Sequence, residues 1–174
     1  MREALKYINR SLGSSNYLVG AEIGVRTGKN ALSMLESMPT RKVYLIDHYE
    51  KHLESSGNFV SFTDQHKFYK EMFVSIQPYL DRAVLVSMPS VFASTLFSDE
   101  YFDFVYVDGR HGYADVMEDL TLWYPKVKKN GVLCGHDFGN KSTPEVELAV
   151  RDFCNSKGLE LFKMDDLDWV TRRR

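Results

Sequence analysis

Short apolar runs of strand length alternate with segments of helical period along most of this chain. Residues 18–23, 42–47, 83–86, 104–107 and 131–134 are the first five runs, and they are continuous rather than alternating. That pattern marks parallel strands covered on both faces. Between them the period lengthens. Asn30 is placed to cap a helix over residues 31–36, and Thr63 a longer one reaching residue 75, which Pro78 ends. Residues 87–90 open a short helix over 91–97. Val116, Leu120, Trp123 or Tyr124, and Val127 trace one face of a helix that stops at Asn130-Gly131, a left-handed end signal. Thr143-Pro144-Glu145 starts another, reaching Cys154 with proline in its first turn. Residues 159–163 and 169–172 then read as two closing strands joined by an acidic turn.

This alternation predicts an α/β fold, a doubly wound and mostly parallel seven-stranded sheet forming a single domain over residues 1–174. The link between the last two strands is too short for a parallel crossover, so the last strand is expected to run antiparallel. Residues 49–61 carry the least pattern and include Gly57, which makes them a candidate mobile loop beside the site.

Composition excludes several classes. No apolar run approaches the roughly 20 residues of a bilayer helix, and the first residues carry charge where a signal peptide needs an apolar stretch. A cytoplasmic location is expected, with Cys134 and Cys154 as buried free thiols. A net charge of −2 argues against a nucleic-acid surface, and the tail Arg172-Arg173-Arg174 reads as solvated.

Candidate chemistry gathers at strand ends. Open parallel sheets bind ligands beyond the carboxyl ends of their strands, where strand order reverses. After the first strand stands Glu22-Ile-Gly-Val-Arg-Thr-Gly28. A dinucleotide fingerprint counted from Gly24 would need glycines where Arg26 and Lys29 stand, which disfavours an NAD-dependent oxidoreductase. What remains, acid-x-Gly-x-x-x-Gly, resembles the first motif of class I S-adenosylmethionine-dependent methyltransferases. The helix N-terminus after Gly28 offers amides to the cofactor's carboxylate, and Glu22 offers charge to its ammonium. Asp47 ends the second strand, placed to accept ribose hydroxyls, and His48 next to it either edges the same sugar or faces solvent. By the same resemblance the turn from Met88 to Ser90 packs on the adenine. The expected cofactor set is Glu22, Gly24, Arg26, Gly28, Asp47, His48, Met88, Ser90 and Asp108.

The resemblance extends further. Val107-Asp-Gly-Arg-His-Gly-Tyr113, then Asp119-Leu120, Trp123 and residues 131–138 are similar to the small methyltransferase family related to macrolide-sugar O-methyltransferases and cephalosporin-pathway proteins. More distantly they resemble metal-dependent, catechol-type O-methyltransferases. That resemblance implies catalytic roles for Asp108 and His111, with His111 as base, and a divalent metal (Mg, Mn or similar) on Asp108, His136 and Asp137. His136 departs from the family, which usually carries an acid or amide there. Imidazole suits Mn, Fe or Zn better than Mg, so either the metal differs, His136 is not a ligand, or no metal binds. Asp119 sits inside a helix and is expected to make a structural hydrogen bond.

The expected activity is methyl transfer from S-adenosylmethionine to a hydroxyl of a sugar or small metabolite. Its partners would be a small-molecule hydroxyl acceptor and neither nucleic acid nor membrane, with an open cleft that a second subunit of a homo-oligomer could close. A binding module that keeps the cofactor pocket without catalysis is the alternative left open. Tyr49, Phe59, Phe62 and Phe68 are candidates for the acceptor pocket or, equally, for the core.

Overall fold

In the computed structural model, residues 1–13, 17–53 and 59–174 are described. The first half runs α1 (Glu3–Leu12), β1 (Leu18–Ile23), α2 (Lys29–Ser37), β2 (Thr40–Ile46), β3 (His52–Leu53), β4 (Phe59–Val60) and α3 (Phe62–Ile76). The second runs β5 (Ala83–Val86), α4 (Ser90–Ala93), β6 (Phe102–Val107), α5 (Tyr113–Trp123), β7 (Val127–Gly135), α6 (Pro144–Lys157), β8 (Leu161–Lys163) and β9 (Trp169–Arg172). Seven strands form one sheet in the order β5-β2-β1-β6-β7-β9-β8. The pairs from β5 to β7 are all parallel, and β9 lies antiparallel between β7 and β8. Strand order reverses between β1 and β6, so the crevice opens there.

Each central strand feeds two cores because successive side chains point to opposite faces. Val105 and Val107 of β6 pack with Leu120 and Trp123 of α5 and Val150 and Phe153 of α6. Phe104 and Tyr106 of the same strand pack with Leu5 and Ile8 of α1, Met34 and Leu35 of α2, and Met72 of α3. Burying one such side chain contributes about 1.5–3 kcal/mol, so both helical layers hold the strand ends in register.

Four local expectations change. Gly28, at φ 76, caps α2, while Asn30 lies inside the helix and turns its amide to Glu22. Ser61 rather than Thr63 caps α3, through a capping box with Asp64. The segment expected as helix up to Asn130 stops at Trp123. Pro125 removes a donor there, residues Tyr124–Lys126 form a 3-10 turn, and Val127 already pairs with Phe102 in the sheet. Asn130 does take a left-handed φ of 63, but within β7, beside a register shift. In the loop expected over 49–61, β3 and β4 pair antiparallel, and Gly57 lies outside the described residues. Both cysteines are buried and free. Among the described residues, no helix is long and apolar enough to cross a membrane.

The helix α1 has no counterpart among the elements expected from sequence. It buries Ala4, Leu5 and Ile8 on one face. Its own N-cap side chain makes no capping bond; the carboxylate of Asp168 does so from the far end of the chain, accepting the Ala4 N–H at 2.9 Å.

Candidate active site

The sheet ladder continues one residue beyond the central strands. Gly24 N–H donates to Ile46 O at 2.9 Å, Asp108 N–H to Ile23 O at 2.7 Å, and His136 N–H to Val107 O at 3.2 Å. Asp47, Gly24, Asp108 and His136 therefore stand side by side along the strand ends. At Gly24, with φ +83, a Cβ would lie 2.1 Å from the Asp108 carbonyl oxygen, so only glycine lets these turns approach. At Gly28 a Cβ would lie 2.9 Å from Met72 Cγ. Both glycines make room for protein packing. A cleft of about 1220 Å³ opens above them, and every residue expected for cofactor, base or metal lines it except Gly28.

At the β1–β2 end the two acids differ in how many donors they meet. Glu22 is 1% exposed and receives one hydrogen bond, from Asn30 Nδ2 to Oε1 at 3.0 Å. Among the described residues, Glu22 Oε2 and Asn30 Oδ1 are buried without a hydrogen-bond partner. Burial, opposed in part by the Asn30 bond, pushes the Glu22 carboxyl up to about 8, and the charges of Asp108 and Asp47 add to the rise. Asp47 clamps the glycine turn: its Oδ2 accepts Val25 N–H at 2.9 Å and Arg26 N–H at 2.8 Å, and its Oδ1 accepts Tyr49 N–H at 3.0 Å. A carboxylate offers about four acceptor positions, so Asp47 keeps capacity for a ribose hydroxyl while holding the turn's shape. Arg26, at φ 52, stacks on Phe68 with its guanidinium 4.8 Å from the ring centre.

On the opposite wall, Ser90 Oγ donates to Asp119 Oδ1 at 2.6 Å. Burial raises the Asp119 carboxyl to about 6. Asp119 thus fixes the Met88–Ser90 turn, in keeping with the structural role expected of it. Of the four aromatic candidates, Phe68 lines the cleft, Tyr49 packs at the edge of the core, and Phe59 and Phe62 face solvent.

The β6–β7 end is a network of paired groups. His111 Nε2 and Asp137 Oδ2 lie 2.9 Å apart, and Asn140 Nδ2 donates to Asp137 Oδ1 at 2.6 Å. Burial alone would raise Asp137. The bonds from His111 and Asn140 outweigh it and, with the charges of His111 and His136, lower that carboxyl to about 2. His136 Nδ1 lies 3.0 Å from Asp168 Oδ1, and the Tyr106 hydroxyl donates to the same oxygen at 2.8 Å. Arg2 reaches in from the start of α1 and donates to Tyr106 Oη at 2.7 Å and Asp108 Oδ2 at 3.1 Å. Burial raises the Asp108 carboxyl, against the pull of Arg2 and the two histidines.

Ligand atoms from Asp108, His111 and Asp137 lie within 4.8 Å of one another. The trio that converges has His111 where His136 was expected; His136 lines the same cleft and its Nδ1 faces Asp168. The trio is already partly engaged. Asp108 Oδ2 is bridged by a guanidinium, and both oxygens of Asp137 already accept protein donors. Arg2 and Asp168 were invisible to sequence reasoning, since their roles arise from residues 166 positions apart in sequence. The 4-5-8 apolar spacing of α1 was the available signal for the first of them.

Strand order, antiparallel last strand and strand-end cleft define the class I S-adenosylmethionine-dependent methyltransferase fold. The profile of a family described as a methyltransferase domain matches residues 21–138, and the chain belongs to that family. It is an S-adenosylmethionine-dependent methyltransferase. No curated protein matches it significantly. Solved structures agree on the fold. The TDP-rhamnose 3'-O-methyltransferase CalS11 of calicheamicin biosynthesis superposes with a TM-score of 0.65 at 14% identity, over 97% of this chain and 76% of that one. The Burkholderia thailandensis 1,6-didemethyltoxoflavin-N1-methyltransferase, solved with S-adenosylhomocysteine, gives 0.66 at 16%, over 99% and 77%. A precorrin-8W decarboxylase from Methanobacterium thermoautotrophicum gives 0.67 at 15%, over 99% and 90%. A fold shared by O-methylation, N-methylation and decarboxylation leaves the reaction to the site.

Proposed function

We propose that this methyltransferase acts on a hydroxyl oxygen of a sugar or similar small metabolite. The observation that carries the reading is the His111–Asp137 pair, 2.9 Å apart at the rim of the cleft. A hydroxyl is a poor nucleophile until its proton leaves, and an imidazole titrates in the right range to take it. Asp137, strongly acidic and charged at neutral pH, fixes the ring so that Nε2 carries the proton and Nδ1 the lone pair. The acceptor's proton passes to Nδ1, and the imidazolium so formed is stabilised by the carboxylate behind it.

When bound, S-adenosylmethionine supplies an electrophilic methyl whose C–S bond electrons stay on sulfur as the new O–C bond forms. The residues of the β1–β2 end fit such a cofactor. Asp47 presents a carboxylate beside a turn it already shapes, and Glu22 holds a buried oxygen that is unpartnered among the described residues, where an ammonium would complete it. The chain's own contribution beyond binding is orientation, since in-line displacement depends mainly on alignment. Engagement of the rim carboxylates by protein donors supports a route with no metal step.

The test is methyl transfer to a panel of sugars, polyols and phenols, comparing the wild type with His111→Ala. Turnover should fall by about 10²-fold or more while cofactor affinity stays nearly constant. An unchanged rate would remove His111 from the role.

A further inference from the structure

Arg2 and Asp168 lie outside the residues matched by the family profile, 21–138, and enter the cleft network from the two ends of the chain. We propose that Arg2 is the resident cation of the β6–β7 rim, a positioning residue that bridges Asp108 and Asp168 and thereby takes the place in charge that a divalent metal would hold. The inference deepens the methyl-transfer reading and rests on it for its catalytic meaning.

The geometry is specific. One guanidinium nitrogen, Nη1, serves Tyr106 Oη at 2.7 Å and Asp108 Oδ2 at 3.1 Å, and lies 3.9 Å from Asp168 Oδ1. The Tyr106 ring passes beneath, 5.6 Å from the guanidinium carbon. Asp168 is fully buried, and its other oxygen caps α1 through Ala4 N–H at 2.9 Å. Docking α1 and placing Arg2 are therefore one event, because the carboxylate that receives the helix also faces the arginine.

Three properties follow from the chemistry of guanidinium. It cannot lose its charge in a protein, so Asp108 keeps a permanent counter-ion at any working pH. It carries five donors, and bonding Tyr106 and Asp108 leaves others beside the cleft that Arg2 lines. It also repels a second cation at the same carboxylate. A divalent ion on Asp108, His111 and Asp137 would sit against the Arg2 guanidinium and would have to take the place of the His111–Asp137 hydrogen bond. The departure of His136 from the usual acid or amide fits the same picture, since its Nδ1 faces Asp168.

Manganese titration followed by electron paramagnetic resonance tests this on the full chain, independently of methyl transfer. The wild type should leave the free Mn2+ signal undiminished at millimolar metal. Arg2→Met, which keeps most of the stem without the charge, should gain one site at least tenfold tighter, and adding Asp108→Asn should abolish it. Arg2→Lys should behave as the wild type. Methyl transfer by the wild type should survive a chelator. Stoichiometric Mn2+ binding by the wild type overturns the proposal, as does an Arg2→Met protein that gains none, or chelator-sensitive transfer restored by Mn2+. If Arg2→Met fails to fold by circular dichroism, the wild-type and Arg2→Lys titrations still decide. An inactive enzyme with the expected titrations would sink the proposed function alone.

Discussion

Glu22 and Asp137 are both buried carboxylates on one cleft, yet their surroundings drive them in opposite directions. Glu22 rises to about 8 and Asp137 falls to about 2. Burial pushes both upward. The difference lies in the donors: a single neutral amide faces Glu22, whereas Asp137 has a histidine, an asparagine and the charge of a second histidine. The β1–β2 end thus holds an acid that, among the described residues, lacks a positive hydrogen-bond partner. At the β6–β7 end Asp137 is satisfied, and under the proposed function protons rather than ligands move there.

The largest effect should come from removing the unsatisfied acid. Glu22 has a folded value above its unfolded one, so its contribution is fully present below about 4.5 and is lost as pH rises through about 8. Glu22→Gln cannot ionise in either state. It should therefore be more stable than the wild type at pH 7, by on the order of 3 kcal/mol, with the gap closing toward pH 4. Urea unfolding across that range measures it. The same variant should bind S-adenosylmethionine more weakly, and should lose the proton release that titration calorimetry in two buffers would detect when a cation ionises wild-type Glu22. A gap that persists at pH 4 would break the contrast between the two acids.

The two ends also differ in how legible they were. Glu22, the glycine turn and Asp47 form a local pattern, because a strand-to-helix turn and the next strand's end are close in sequence and must meet in a parallel sheet. The sheet itself was readable for the same reason: continuous apolar runs leave few alternatives. Local boundaries were less so. Asn30 and Thr63 had the right side chains for caps, but Asn30 is drawn to a buried carboxylate, and Ser61 closes a capping box two residues earlier. At the rim, the candidates Asp108, His111, His136 and Asp137 line one cleft, whereas their pairing was not readable. The partners of Asp108 and His136 are Arg2 and Asp168, which come together only after α1 docks. Long-range ion pairs leave no periodicity behind.

The contrast can be sharpened from the other side with Asp137→Asn. Asp137 sits at φ 63, a left-handed position that asparagine tolerates, so backbone strain does not confuse the result. Losing the charge-assisted bond to His111 should cost about 1.5–3 kcal/mol at pH 7. Asp137 has a folded value below its unfolded one. Its contribution is present above about 3.8 and is lost as pH falls through about 2. Acid unfolding of the variant should accordingly lack the part of the wild-type transition that falls in that window. A variant matching the wild type in both respects would show that the His111 pairing contributes nothing to the acid's low value.

Asn140→Ala asks a smaller question: whether Asp137 depends on both donors or chiefly on His111. The amide bond to Oδ1, at 2.6 Å, is the second contribution to its low value, after the His111 bond. Asn140 also shapes the following turn, where its side-chain oxygen accepts Ser142 N–H at 3.0 Å. Removing the side chain should cost about 1 kcal/mol in stability and raise the pH at which Asp137 takes up a proton. The His111 pairing would survive, and with it the proton on Nε2, so methyl transfer near neutrality should stay within roughly threefold of the wild type. A fall as deep as that of His111→Ala would mean that Asn140 places the carboxylate, and that the base is set from the turn after β7 rather than from the loop after β6.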